Sequence, residues 1–123
     1  MADAPKGPAE RGLRHIALKA RDLSATKRFY MDVLGLEVAY RHHGMLFLST
    51  PGGGDLFNFV ATRQRFEVAA GGLDHFGLHV PPREWRGLLA RLRKAGIAIR
   101  GRRGRAAIYV KDPNGYVVEL YRD

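Results

Sequence analysis

The sequence predicts an α+β protein made of two βαβββ units, and three observations predict it. The first is an internal repeat. LRHIALKARDLSATKRFYMDVLGLEV, from Leu13, and LDHFGLHVPPREWRGLLARLRKAGIAI, from Leu73, both open Leu-x-His, and Leu13/Leu73, His15/His75 and Leu18/Leu78 stand 60 positions apart. The second is a change of period inside each copy: an alternating strand pattern gives way to a helical one, which closes at Gly35-Leu36-Glu37-Val38 and at Gly96-Ile97-Ala98-Ile99. The third is that short alternating segments divided by turn residues follow each helix. Two such units fill residues 12–123 as a single domain, with repeat 1 over about 12–61 and repeat 2 over about 72–123.

In the first unit HIALKA alternates as a strand, and Asp22 or Ser24 is placed to cap a helix running to about Leu34. Phe29, Val33 and Leu34 give that helix an apolar stripe, and Gly35 stands where a left-handed residue ends it. Strands are expected near Glu37–Arg41, Met45–Ser49 and Asp55–Ala61, parted by His42-His43-Gly44 and Pro51-Gly-Gly-Gly54 turns. In the second unit HFGLHV is the strand. Its helix opens after Pro81-Pro82, buries Trp85, Leu88, Leu89 and Leu92, and stops at Gly96. Strands near Ala98–Arg100, Ala106–Lys111 and Tyr116–Tyr121 complete the unit, the last two joined by Asp112-Pro-Asn-Gly115, where Asn-Gly is expected to supply positive φ.

Composition bounds the chemistry. There is no cysteine, which excludes disulfides, thiolate-metal sites and cysteine nucleophiles. The first residues, MADAPKGPAERG, lack the apolar core of a signal peptide, and residues 1–11 read as a flexible leader. No apolar run is long enough to span a bilayer, so a cytoplasmic protein without a membrane partner is expected. The net charge is +9, with a dense run at Arg100, Arg102, Arg103 and Arg105 whose interleaved glycines suggest a flexible loop. No nucleic-acid-binding motif accompanies that run, so it reads first as a solvated basic loop, next as a basic rim attracting a small anion to an active-site mouth, and last as a nucleic-acid surface.

Period-two alternation places the candidate site. Phe76, Leu78 and Val80 take one face of their strand, and His75, Gly77 and His79 the other. Ile16 and Leu18 likewise oppose His15 and Ala17, and Val118 and Leu120 oppose Val117, Glu119 and Tyr121. Small and polar residues on the faces away from the helices suit a cavity wall. A carboxylate between Val118 and Leu120 needs a counter-charge or a metal. Two neutral imidazoles and one carboxylate form a facial triad with coordination positions open, so His15, His75 and Glu119 are the expected metal ligands.

These segments, with YVKDPNGYVVEL, resemble the vicinal oxygen chelate superfamily, which includes glyoxalase I, methylmalonyl-CoA epimerase, extradiol dioxygenases, fosfomycin-resistance enzymes and bleomycin-binding proteins. The resemblance implies a cup-shaped mixed sheet around a divalent ion (iron, manganese, nickel or zinc) and carries His15, His75 and Glu119 over as its ligands. It also implies a homodimer, in many members with the metal site shared across the interface. A fourth ligand, where present, comes from DLFNFVA, in which Asn58 is the nearest match. An amide oxygen there is a weak donor, which favours a three-ligand site over that of a typical glyoxalase I. Tyr109 stands near a substrate-contacting tyrosine of the fosfomycin enzymes, although Ala17 replaces their frequent threonine and no potassium-binding loop is evident.

Three further residues are candidates for catalysis. His79 shares a face with His75 and suits a proton shuttle. Tyr121 is placed to donate to a substrate oxygen, and Tyr109 to contact substrate. The expected function is a metal-dependent enzyme acting on a small, oxygen-bearing and anionic substrate, by lyase, isomerase or ring-cleaving dioxygenase chemistry. A fosfomycin-type thiol transferase is one alternative. Another is a metal-free, antibiotic-sequestering protein binding an aromatic ligand against Phe47, Phe57, Phe59 and Tyr109.

Overall fold

The computed structural model describes residues 12–123, so the expected leader at 1–11 lies outside the described residues. Two units of the same plan follow one another. The first runs β1 (His15–Ala20), α1 (Leu23–Lys27), a π-helical continuation (Arg28–Val33), β2 (Glu37–His42), β3 (Met45–Ser49) and β4 (Leu56–Ala61). A 3₁₀ turn (Val68–Ala70) leads to β5 (Phe76–His79), α2 (Pro82–Lys94), β6 (Gly101–Arg103), β7 (Ala107–Lys111) and β8 (Val117–Tyr121). Sheet A has the order β1-β4-β3-β2 and sheet B the order β5-β8-β7-β6. In both, the first strand lies parallel to the last and the other pairs are antiparallel. The repeat in the sequence is therefore a repeat in topology, and each unit keeps its own mixed sheet.

Local chemistry sets the ends of these elements. The Asp22 side chain accepts from the backbone N–H groups of Ser24 and Ala25, at 2.9 and 3.1 Å, which makes Asp22 the N-cap of α1. Gly35 takes a φ of +83°, ending the helical segment in a conformation that costs any other residue strain. The burial of α2 follows its pattern: Trp85, Leu88 and Leu92 are buried, and Leu89 is half-buried at the margin.

Three expectations are corrected. The arginine-rich run is not a loop. Arg100 N–H donates to the Tyr109 carbonyl at 2.7 Å, Gly101–Arg103 pair with β7, and the strand expected at Ala98–Arg100 is displaced onto these residues. Pairing with an established neighbour outweighs the poor strand propensity of Gly and Arg. In the Asp112–Gly115 turn only Gly115 has positive φ, +98°. Asn114 instead has a buried role described below. Phe59 lies fully buried in the core and so cannot form the wall proposed for an aromatic ligand, whereas Phe57, 7% exposed, edges the cleft described below.

One apolar core runs beneath both units, from Leu18, Leu48 and Phe59 to Leu78, Leu88, Ile108 and Leu120. A polar joint fastens the units at one end of it. The Tyr30 hydroxyl donates to Asp112 at 2.8 Å, Asn114 Nδ2 donates to Thr26 Oγ1 at 3.1 Å, and the Tyr116 hydroxyl donates to the Lys19 carbonyl at 2.8 Å. Asp112 also accepts from the backbone N–H groups of Asn114 and Tyr116, at 2.9 and 2.8 Å. Burial raises the Asp112 carboxyl above its usual range even though these bonds oppose the shift, and burial together with Asp112 raises Tyr30.

Candidate functional site

Paired residues share a face, so the registers locate the site on sheet B. Across its open face one row runs Gly77, Glu119, Tyr109, Gly101, and the next runs His79, Tyr121, Ala107, Arg103. His75 immediately precedes β5 on the same side. Alternation thus puts His79, Glu119 and Tyr121 on the wall where the sequence pattern expected them, and the pairing of β7 with β8 adds Tyr109 to it. Gly77 is small for a reason: a Cβ there would lie 3.2 Å from the ring of Tyr121. That ring also meets His79 edge-on, with centroids 5.4 Å apart.

Glu119 is the hub. Its side chain is 13% exposed, and each carboxylate oxygen has a partner: His75 Nε2 at 3.1 Å from Oε1, and Arg103 Nη2 donating to Oε2 at 3.0 Å. Arg103 also donates twice to Asp123, at 2.9 and 3.1 Å. This fork is the main cause that holds the Glu119 carboxyl below its usual range, with the Tyr109 hydroxyl and His75 adding to it and burial opposing. On the far side of His75, Nδ1 lies 2.6 Å from Asp74 Oδ2. An imidazole between two carboxylates gains a proton easily, and the His75 pKa is raised, first by Asp74 and then by Glu119. The Tyr109 ring packs edge-on against His75, with centroids 5.5 Å apart.

The donor spacing fits a divalent ion. Two donors bound at about 2.1 Å and at right angles lie about 3.0 Å apart. His75 Nε2 and Glu119 Oε1 are separated by 3.1 Å. The Nδ1 contact to Asp74 favours the tautomer that leaves the Nε2 lone pair free for an ion. Within one chain the donor set stops there. Among the described residues no three His, Cys, Asp or Glu side chains come together at ion-binding distance. His15 stands on β1 of sheet A, with its ring 6.5 Å from that of Phe47.

The face around His15 has gaps of its own. Asn58 pairs with Ala17 in the β1–β4 ladder, two residues beyond the His15↔Leu56 pair and so on the same face. It is 8% exposed, and its Oδ1 has no hydrogen-bond partner, an arrangement that costs free energy unless another group completes it. β1 and β5 are edge strands. Between the two units runs a cleft of about 820 Å³ lined by His15, His75 and His79, with Ile16, Phe57 and Leu78 among its apolar walls.

Sequence pattern alone missed Asp74 and Arg103. Asp74 could have been found as a carboxylate adjacent to a candidate ligand. Arg103 becomes visible only once Gly101–Arg103 is recognised as a strand, because alternation then places it with Tyr121 and His79.

The sequence matches the Glyoxalase/Bleomycin resistance protein/Dioxygenase superfamily over residues 12–120. It is 27% identical over 114 residues to "Glutathione transferase FosA" of Serratia marcescens, covering 89% of this chain and 79% of that protein. Among solved structures, a glyoxalase/dioxygenase from Nostoc punctiforme superposes with a TM-score of 0.76 at 19% identity, covering 100% of this chain and 99% of that one. A mutant of the fosfomycin resistance protein FosX from Listeria monocytogenes, complexed with Mn(II) and 1S,2S-dihydroxypropylphosphonic acid, superposes with a TM-score of 0.73 at 21% identity, covering 91% and 92% of the two chains.

Proposed function

The chain belongs to the glyoxalase/bleomycin resistance protein/dioxygenase superfamily, and from that premise we propose that it is a divalent-metal-dependent enzyme acting on a small, oxygen-bearing, anionic substrate. The ion is held by His75 and Glu119 of one chain and by His15 of a second copy. The observation that carries this reading is the His75–Glu119 pair, spaced as neighbouring donors around one ion, with His15 left on the edge strand of a separate sheet. A homodimer closing over the β1 and β5 edges would bring the third ligand and give Asn58 Oδ1 a partner.

When bound, the ion supplies Lewis acidity toward a substrate oxygen. The chain's own residues do the rest. Asp74 keeps the His75 proton on Nδ1 and orients the ring. Arg103, half-exposed beside Glu119, offers a fixed positive charge to an anionic substrate group. Tyr109 bears a hydroxyl within reach of Glu119, and Tyr121 with His79 forms a second polar pair on the same wall, suited to holding or moving a proton.

The names of the relatives direct the choice of reaction. With a glutathione transferase and fosfomycin resistance proteins among them, epoxide opening of fosfomycin by thiol or by water is the first reaction to assay. The test is to load the protein with Mn(II), Ni(II) or Fe(II) after chelation, measure retained ion, and follow fosfomycin with and without glutathione. Retention of an ion that is lost in Glu119→Gln and His15→Ala supports the site. Failure to retain any ion overturns it, whereas retention without turnover of fosfomycin redirects only the substrate.

A second reading has its own support. Both Glu119 oxygens are already bonded within the chain, so a metal-free binding protein that sequesters a small molecule needs no ion to satisfy this carboxylate. Ligand binding that persists in chelator favours this alternative.

A further inference from the structure

The excess charge of this protein is concentrated in one place. Residues 83–105 hold nine of the 21 Lys and Arg side chains and one of the 12 acidic ones, which is +8 of the net +9. Three of those cations are engaged: Arg83 with Glu84, Arg91 with the Val33 carbonyl, and Arg103 with Glu119 and Asp123. The side chains of Arg86, Arg93, Lys94, Arg100, Arg102 and Arg105 are exposed, with no hydrogen-bond or ion-pair partner among the described residues.

Helix electrostatics accounts for only part of this. Arg93 and Lys94 stand in the last turn of α2, where cations are favoured by the carbonyl ends. Arg100, Arg102 and Arg105 lie past the helix, on and around β6, where no such term applies. Arg102 pairs with Ile108, whose side chain is in the core, so Arg102 projects toward the α2 side of sheet B rather than onto the wall of the candidate site. There it meets Arg93 across a shallow groove of about 310 Å³ whose other walls are Leu89, Leu92, Ile97 and Ile99. Ile99 is 36% exposed and Leu89 and Ile97 are half-buried, so the groove offers apolar surface between two arginines.

We propose that this face of α2 and β6 is a docking site for an acidic segment of a partner protein that carries a large apolar side chain. Charge complementarity gives the partner its sign, since Arg93 and Arg102 line the groove without a partner among the described residues and the segment 83–105 that builds it carries one acid against nine cations. The recessed apolar floor gives the partner its anchor, because a side chain entering it removes Ile97, Ile99 and Leu89 from water. Neither duplex nucleic acid nor a flat anionic bilayer uses such a recess: phosphate backbones need only the cations, and a bilayer needs protruding apolar residues. β6 is at the edge of sheet B opposite β5, so the docking face lies away from the edge proposed to meet a second copy.

The test uses the full chain and two short fluorescent peptides of equal length and negative charge, one with two leucines among its acidic residues and one with alanines in their place. At physiological ionic strength the leucine peptide should bind about tenfold tighter, the low end of what burying one such side chain supplies. Combined Arg93→Gln and Arg102→Gln should weaken both peptides. Ile99→Ser should reduce the leucine peptide to the level of the alanine peptide and leave the latter unchanged. All three positions are exposed, and unchanged far-UV circular dichroism and melting show that the variants fold. Equal affinity of the two peptides, absence of binding by both, insensitivity to Ile99→Ser, or displacement of the leucine peptide by stoichiometric duplex DNA or phosphatidylserine vesicles overturns the proposal.

Discussion

Asp74→Asn separates the work of His75 as a ligand from its work as a base. The carboxylate lies 2.6 Å from His75 Nδ1 and is the largest cause of that ring's raised pKa. Without it the His75 pKa falls toward the ordinary value near 6.5. An ion needs Nε2 deprotonated, while a carboxylate on the other ring nitrogen strengthens Nε2 as a donor and fixes its orientation. The two effects have opposite signs. At alkaline pH, above the pKa of the ring in both forms, only the lost orientation and donor strength count. Such partners are worth about 10- to 100-fold in affinity. The Asp74 side chain is 95% exposed, so water competes for the same contact and the expected loss is about tenfold, or 1.4 kcal/mol. As pH falls, the wild-type ring protonates first and loses affinity first, so the difference between the two proteins narrows at acidic pH. Mn(II) titrations followed by electron paramagnetic resonance at both pH values measure this, with the His75 titration read by NMR in the metal-free proteins. Equal affinity at the alkaline pH, a loss that stays constant with pH, or an unchanged His75 pKa refutes the reasoning.

Other predictions concern single contacts. Arg103→Ala releases Glu119 Oε2, so its carboxyl should titrate at higher pH and Mn(II) should bind more tightly; weaker binding would show that Arg103 supports the site. Because the Glu119 pKa is lowered in the folded chain, the stability it contributes is present above the unfolded value and lost as pH falls through the folded one. Melting of Arg103→Ala should therefore drop at neutral pH and converge with wild type as pH falls through the lowered Glu119 pKa. Tyr30→Phe removes one donor to the buried Asp112 but leaves Asn114 Nδ2 at 3.2 Å from the same oxygen. The cost should sit near the low end for an unsatisfied buried group, about 1 kcal/mol, which urea denaturation would resolve; no change would mean that the joint between the units contributes little. Mixing His15→Ala with His75→Ala tests the shared site. Each variant alone should lack the ion, and subunit exchange should restore one intact site per mixed dimer; a mixture that stays empty places the ligands in one chain.

Much of the fold was legible because repetition and period carry it. The Leu-x-His repeat placed β1 and the second-unit histidine, Asp22 and Gly35 marked the ends of a helical segment, and alternation sorted Glu119 from Val118 and Leu120. What failed depended on partners distant in sequence. Nothing in Gly101-Arg102-Arg103 favours a strand, and only the waiting edge of β7 makes it one. Asn114 looked like a turn residue because Asn-Gly usually is one, yet its amide is spent on Thr26 and Asp112 across the joint between the units. The same distinction governs the site. A ligand's face follows from its own strand, so His75 and Glu119 could be assigned to one wall from local pattern. The meeting of two ligands follows from which sheets adjoin, and local pattern says nothing of that. His15 occupies the position in the first unit that His75 occupies in the second, and Asn58 stands on that face with an unanswered oxygen. On the proposed reading, a duplicated fold with two separate sheets would hold two half-sites, and a second copy of the chain is the simplest element able to join one half to the other.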